Sequence, residues 1–392
     1  MKNLRARLAR LYELDDHPGR ILPMEGLRGV AVLLVFVVHI GLFRPWVEPG
    51  SWLAAAMDAG WQMGHAGVDL FFVLSGYLIY GAVIRRPTPY GRFMGRRLRR
   101  IYPVFLTVFA VYVLLDLTIA GTHRIPSEPW PAIGYLLANL ALLPGIVPID
   151  PLLTVAWSLS FEFFYYLTIP LAVALLRMRR WQPRQRLLFF AGVALAGFAV
   201  GYFVQAELIR LVMFLAGILV YELLDGLGWR PARRSEWFAL AVAVVAVGSV
   251  TLLEVTPAGG PNALALPAGI AATDRVFALF VGFGLLCLVA FRASGPLYRL
   301  LAWTPLRWLG NMSYSFYLVH SLAFKGLELV LGRLLPAGPR PPIVVAGIVG
   351  AAFVLAWVAA SGLYALVERP FSLRPGPRRA VGRVPAEKAA VG

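Results

Sequence analysis

Four ionisable side chains interrupt long apolar stretches of this 392-residue chain: His39, Asp69, Glu162 and His320. Ionisable groups are costly in hydrocarbon, so each is a candidate functional residue. At 1.5 Å per helical residue, the two histidines lie roughly 17–18 Å, and the two carboxylates roughly 21–23 Å, from the inner ends of their stretches. The pattern predicts one layer near the midplane of a membrane, in which imidazole and carboxylate groups could act as general acids and bases.

Arginines form a second layer at the inner edge. Arg28 precedes His39 by eleven positions, which is close to three helical turns, so both side chains face the same way. The same edge is expected to hold Arg96, Arg97, Arg99, Arg100, Arg307 and Arg369. A basic mouth that leads to a deep histidine suits a polyanionic molecule whose reactive end points inward, such as a coenzyme A ester.

Composition requires a lipid environment for these residues. Hydrophobic residues make up 59% of the chain and charged residues 15%, whereas a soluble domain has about 25% charged residues. The net charge is +17, but the arginines lie in short loops between apolar stretches, which indicates membrane orientation rather than nucleic-acid binding. A single cysteine, Cys287, excludes intrachain disulfides and cysteine-rich metal sites. Two histidines on different helices are too few ligands for catalytic zinc, so we expect no metal and no tightly bound cofactor.

The apolar stretches predict an all-α, polytopic membrane protein with about ten transmembrane helices. We place these helices at about 27–43, 66–84, 101–121, 153–176, 187–204, 207–224, 237–254, 274–292, 309–331 and 342–367. The short apolar stretch at 132–147 is expected to be re-entrant or interfacial.

Basic residues predict the orientation. With the N-terminus inside, the inner segments hold 28 Lys and Arg and the outer loops hold four, so both termini are expected in the cytoplasm. Residues 1–20 should form an amphipathic segment on the inner leaflet, residues 21–371 the transmembrane domain, and residues 372–392 a basic disordered tail.

Six motifs occur in order between residues 25 and 370. They are EGLRG (25–29) with His39, GVDLFFVLSGY (67–77), RLRRIYP (97–103), WSLSFE (157–162) followed by Phe164 and Tyr165, LGNMSYSFYLVH (309–320) and VERP (367–370). Together they resemble the acyltransferase-3 family of membrane acyltransferases, which includes O-antigen acetylases. The chain departs from the family pattern at Phe163, where a second acidic or polar residue is frequent. Some members carry an appended soluble hydrolase-like domain, which is not expected here.

The resemblance implies an enzyme of the bacterial inner membrane that moves an acyl group, most simply acetyl, from acyl-coenzyme A to a hydroxyl of an envelope carbohydrate or glycolipid. It places the coenzyme near Arg28, Arg97 and Arg100. We expect His39 to act as general base, held by Asp69 or Glu162, with direct attack on the thioester or an acyl-histidine intermediate.

Other interpretations stay open. His39 could only pack against a helix, His320 could only orient other groups, Asp69 could cap its helix, and Glu162 could be a structural hydrogen-bond acceptor. The acceptor could be a metabolite such as a macrolide. A transporter or a polysaccharide-assembly subunit is a further alternative, although no internal repeat is visible. The sequence does not predict the oligomeric state.

Overall fold

The computed structural model describes residues 8–9, 11–13, 20–118, 124–201, 208–252, 268–336 and 338–373. These ranges are mostly helical and hold no β-strand, as the all-α prediction requires. The α-helices are α1 (Leu22–His39), α2 (Trp52–Gly64), α3 (Ala66–Arg85), α4 (Tyr90–Thr118), α5 (Pro129–Leu140), α6 (Ala156–Leu175), α7 (Pro183–Gly201), α8 (Val212–Tyr221), α9 (Ser235–Leu252), α10 (Ala268–Ala290), α11 (Pro296–Leu301), α12 (Thr304–Asn311), α13 (Ser313–Leu334) and α14 (Pro342–Leu363). Short 3₁₀ or π segments cover Ile40–Trp46, Met178–Arg180, Leu208–Leu211, Glu222–Gly226 and Tyr364–Leu373.

Seven helical stretches in the described ranges are long and apolar enough to cross a membrane, so the chain is a multi-pass membrane protein. They are Leu22–Trp46, Trp52–Arg85, Tyr90–Thr118, Ala156–Leu175, Pro183–Gly201, Ala272–Ala290 and Pro342–Leu373. Each of the ten predicted stretches overlaps a helix, but α8 and α9 are shorter and α13 carries several charges. The number of ten crossings and the cytoplasmic position of both termini stay predictions.

One helix was not predicted, and another begins well before its predicted start. Helix α2 was not predicted, because Asp58 and Gln62 interrupt its apolar pattern. The Ser51 side chain accepts a hydrogen bond from the Ala54 N–H and begins this helix. Helix α4 begins at Tyr90 rather than near 101, because arginine favours helix and the chain continues helically through the basic loop.

Small residues bring two helix pairs into backbone contact. A Cβ on Gly76 of α3 would collide with the Phe214 carbonyl of α8, and a Cβ on Gly217 would collide with the Val73 carbonyl. Likewise, Gly310 of α12 lies against the backbone of α1. Close packing of this kind replaces the hydrophobic effect as a source of helix association in lipid, and it fixes α1 beside the segment that leads into α13.

Two buried carboxylates, Glu222 and Glu236, connect the ends of neighbouring helices. Arg186 of α7 donates to both carboxylate oxygens of Glu222, at 2.6 and 3.1 Å, and Tyr80 also donates to that carboxylate. Glu236 of α9 accepts the backbone N–H groups of Ser294, Gly295 and Leu297 at 2.9–3.2 Å. These otherwise unpaired N–H groups lie at the start of α11, so the carboxylate caps a neighbouring helix.

The N-terminal segment is described only in part. Residues 8, 9, 11 and 12 are helical, and Tyr12 is buried beside Trp308 with ring centroids 5.6 Å apart. The Glu13 carboxylate accepts hydrogen bonds from Arg307 at 2.6 Å and from Trp308 at 3.1 Å. This end of the segment therefore packs on the protein. Residues 374–392 of the predicted tail lie outside the described ranges.

Candidate functional site

A cavity of about 130 Å³ lies between α1, α3, α4, α6 and the start of α13. We call it the arginine pocket. Its polar lining consists of Arg28, Arg97, Arg100, Glu162, Ser75, Ser158, Ser313, Tyr166, Tyr314 and Tyr317. Aliphatic and phenyl side chains of α3 form most of its apolar wall. The pocket thus brings together the three arginines expected at the donor site.

Two of these arginines have no carboxylate partner among the described residues. The Arg28 Nε donates to the Ser313 hydroxyl at 3.2 Å. The Arg97 guanidinium lies 5.2 Å from the ring centroids of both Phe93 and Tyr166, and such stacking leaves its N–H groups free to bind an anion. Two guanidinium groups without an ion-pair partner in the described ranges, in one cavity, are chemically suited to bind an anion.

Arg100 has a different environment. Its Nη1 lies 2.7 Å from Glu368, which is fully buried and also accepts from the Ser315 backbone N–H and hydroxyl. The guanidinium also lies over the Tyr314 ring. Arg100 therefore connects α4 to the C-terminal π segment and to α13, with its charge already matched. Glu368 belongs to the VERP motif (367–370), but the sequence analysis predicted no individual role for it.

Glu162 faces the arginine pocket rather than the histidines. One of its oxygens accepts from the Ser75 hydroxyl at 2.9 Å and from the Tyr166 hydroxyl at 2.7 Å. Tyr166 in turn lies under Arg97. The carboxylate is therefore part of the wall that positions Arg97.

The two histidines form a pair. His320 Nε2 lies 3.1 Å from His39 Nδ1, and the rings are nearly perpendicular, with centroids 4.5 Å apart. His320 is fully buried. The Phe324 ring lies 6.0 Å from that of His39. The two residues belong to α1 and α13, and the sequence predicted for them only a common depth.

The expected carboxylate partner of His39 is replaced by this second histidine. Asp69 is fully buried, and its closest described charge is Arg210, at 3.6 Å. Arg210 lies over the Trp157 ring. Within the described ranges, the ring nitrogens of His39 have only the Val35 carbonyl and His320 as partners. Sequence reasoning missed Arg210, although an arginine inside the predicted apolar stretch 207–224 was a signal of the same kind as His39.

Two helices connect the arginine pocket to the histidine pair. Along α1, Arg28 and His39 are roughly 16 Å apart, and along α13, Ser313 and His320 are roughly 10 Å apart. Tyr317 lines the pocket, and its ring lies 6.0 Å from that of His320. An anionic group held by the arginines could thus extend an attached chain towards an imidazole.

A multi-pass membrane protein with an arginine-lined cavity, and a histidine pair next to the Tyr317 ring of that cavity, fits a group transferase that uses an anionic donor. The chain belongs to the acyltransferase-3 family: the family's model, described as an acyltransferase domain, matches residues 22–361. The resemblance carried by the six motifs is thereby confirmed.

Relatives support this assignment. The chain is 28% identical to the Acyltransferase MdmB of Streptomyces mycarofaciens, over 93% of this chain and 95% of the relative. It is 30% identical to the Exopolysaccharide production protein ExoZ of Rhizobium meliloti, over 81% and 92% of the two chains. It is 27% identical to the O-acetyltransferase OatA of Staphylococcus aureus, over 80% of this chain and 51% of the relative. No solved structure matches the chain. The family and the relatives identify it as an O-acyltransferase.

Proposed function

We propose that the protein transfers an acetyl group from acetyl-coenzyme A to a hydroxyl of an envelope carbohydrate or glycolipid. In this proposal the protein lies in the bacterial inner membrane with ten crossings, and the arginine pocket receives the coenzyme from the cytoplasm. The observation that carries the proposal is a cavity with two arginines that have no ion-pair partner among the described residues, lined also by Tyr317, whose ring lies 6.0 Å from that of His320.

The proposed binding of coenzyme A is argued from the positive charges of the arginine pocket. Coenzyme A carries phosphates at one end and the thioester at the other. Arg28 and Arg97 would bind phosphate through charge-assisted hydrogen bonds, while the apolar wall of α3 would accept the thin arm. Arg100 would contribute through its placement of α4, since its own charge is paired with Glu368.

The reaction centre of the proposal is His39. Its imidazole takes the proton of the acceptor hydroxyl while the oxygen attacks the thioester carbonyl. The new C–O bond forms, the C–S bond breaks, and the leaving thiolate takes the proton from the imidazolium. No net charge accumulates in the membrane interior over the cycle. The coenzyme is a co-substrate, and no step requires a resident metal.

The acceptor is proposed from the relatives. One is named an O-acetyltransferase and another an exopolysaccharide production protein, which favours acetyl transfer to an envelope polysaccharide or its lipid-linked precursor. The third is named only as an acyltransferase, and this name does not restrict the acceptor to a carbohydrate. A small hydroxylated metabolite, which the sequence analysis left open, is therefore the second candidate acceptor.

Radiolabelled acetyl-coenzyme A and purified protein test the proposal. We expect slow hydrolysis of the thioester without acceptor and label transfer to an envelope carbohydrate extract. His39→Gln should lower both rates by about 10²–10⁴-fold, because the amide cannot take the proton, while coenzyme A binding stays intact. Near-normal turnover of this variant would refute the general-base role, and failure of the wild-type protein to bind coenzyme A would refute the donor.

A further inference from the structure

The histidine pair determines which nitrogen of His39 can act as a base. A neutral imidazole carries one proton, on Nδ1 or on Nε2, and the hydrogen-bond partners select the tautomer. The proposed function requires a base at position 39 but does not specify the nitrogen. The contacts of the two rings supply that information.

His320 has its own proton placed by its helix. Its Nδ1 lies 2.8 Å from the Tyr317 carbonyl and 3.1 Å from the Phe316 carbonyl. Carbonyl oxygens only accept hydrogen bonds, so the neutral His320 ring holds its proton on Nδ1. Its Nε2 then carries a lone pair, and this is the atom that faces His39.

The same reasoning applies to His39. Its Nδ1 lies 3.1 Å from the His320 Nε2 lone pair and 3.2 Å from the Val35 carbonyl. Both neighbours are acceptors, so His39 Nδ1 carries the proton and donates to them. The lone pair of His39 is therefore on Nε2, on the side of the ring away from these contacts.

We propose that His320 is a positioning residue that holds His39 as the Nδ1–H tautomer, so that Nε2 receives the acceptor's proton. This inference rests on the proposed general-base function. During the reaction, the proton of the hydroxyl moves to His39 Nε2, and the Nδ1–H bond to His320 becomes charge-assisted. The proton then leaves from Nε2 to the thiolate. His320 stays neutral throughout and places no second charge in the apolar surroundings of the pair.

A neutral hydrogen-bond acceptor beside His39 and a carboxylate in the same place would stabilise the imidazolium to different extents. A carboxylate would orient the ring and also stabilise the imidazolium with a full negative charge. His320 orients the ring without that charge, so an amide oxygen at the same place should substitute for it. This makes the inference testable with two side chains of similar chemistry.

Glutamine and asparagine at position 320 form the matched pair. The glutamine amide ends about where the histidine Nε2 lies, and its oxygen can accept from His39. The asparagine amide ends about where Nδ1 lies, so it can donate to the Tyr317 and Phe316 carbonyls but does not reach His39. We expect His320→Asn to lower kcat about tenfold or more, with little change in KM for acetyl-coenzyme A. His320→Gln should restore most of the lost rate.

Nitrogen NMR of ¹⁵N-histidine-labelled protein tests the tautomer without relying on activity or on a variant. The chain has five histidines, and His39→Gln identifies the signals of residue 39. We expect protonated Nδ1 and unprotonated Nε2 at His39. Protonated Nε2 in the wild-type protein would overturn the inference while leaving a general-base role intact. Equal kcat for the Asn and Gln variants, with coenzyme A binding retained, would also overturn it, whereas an active His39→Gln variant would instead refute the proposed function.

Discussion

Replacement of Arg97 by alanine tests the arginine pocket most directly. The guanidinium is half-buried, lies over the Phe93 and Tyr166 rings, and has no carboxylate partner in the described part of the chain. Its charge is therefore available to a phosphate. A hydrogen bond to a charged group contributes about 1.5–3 kcal/mol, so its loss should weaken coenzyme A binding about 10- to 100-fold. Loss of the ring contacts should cost only about 1 kcal/mol of stability.

Arg96 provides the matched control. It precedes Arg97 on the same helix, but its side chain is exposed. Arg96→Ala removes the same formal charge, and its long-range effect should disappear at moderate salt concentration because exposed charges are screened. Isothermal titration of coenzyme A into both purified variants, with a thermal unfolding curve for each, gives the comparison. Equal affinities of wild-type protein and Arg97→Ala, or equal losses in the two variants at high salt, would refute the assignment of Arg97.

Arg100 should behave differently, although it lies one turn further along α4. Arg100→Ala leaves the Glu368 carboxylate buried and without its ion-pair partner, which typically costs about 3–5 kcal/mol. We expect the variant to be lost through instability, and the added change Glu368→Gln to recover part of the folded protein. A stable Arg100→Ala protein with weak coenzyme A binding would instead place Arg100 in direct contact with the ligand.

Three further predictions concern the fold. Gly217→Leu should prevent the contact between α3 and α8 and lower the yield of folded protein, whereas Gly192→Leu, which has open space at its Cβ, should be tolerated; equal yields would contradict the packing argument. Burial raises the pKa of Glu13, but the hydrogen bonds from its partners outweigh burial and hold this pKa below its ordinary value near 4.5. The stabilising contribution of this carboxylate is thus complete at neutral pH and is lost as the pH falls through its lowered pKa. Limited proteolysis should therefore cut the N-terminal segment faster as the pH is lowered from neutral to well below 4.5. Glu13→Gln should abolish this pH dependence, and unchanged protection at low pH would argue against it. Cysteines introduced near Arg97 should react only with cytoplasmic reagents and those near Ala258 only with external ones; the reverse pattern would refute the predicted orientation.

Helical periodicity and depth were sufficient to predict part of the site. Arg28 and His39 share one helix, so their relative positions follow from the rise and turn of that helix alone. His320 lies on a different helix, and its pairing with His39 was predicted only as a common depth. The structure adds the distance and the orientation of the rings.

The carboxylates show what depth cannot predict. Asp69 lies at a depth similar to that of His39, but the face of α3 that carries it is directed towards Arg210. Glu162 is directed towards Ser75 and Tyr166. The rotation of each helix about its own axis depends on packing against several neighbours, and a single apolar sequence contains little information about it, because most of its faces are apolar.

The start of α4 illustrates a related difficulty. A hydropathy pattern ends where charges begin, so the predicted helix began near residue 101, whereas the actual helix begins at Tyr90. Arg97 and Arg100 therefore lie inside a helix and project into a cavity, rather than lying in a loop at the membrane edge. Arginine combines high helix propensity with a long side chain, and the hydropathy pattern registers neither property.

The pairing of Arg100 with Glu368 has a consequence for biosynthesis. The two residues are 268 positions apart in the chain, so α4 enters the membrane long before its ionic partner has been translated. Until residue 368 has been translated, Arg100 lacks the carboxylate that balances its charge. The hydrogen bonds from Ser315 to the Glu368 carboxylate are also missing until then. A ribosome that stops before residue 368 produces a chain with most of its apolar helices but with an unbalanced cavity. The segment around residue 368 therefore completes the surroundings of the arginine pocket, and a chain interrupted before it has a half-buried Arg100 without its ion-pair partner.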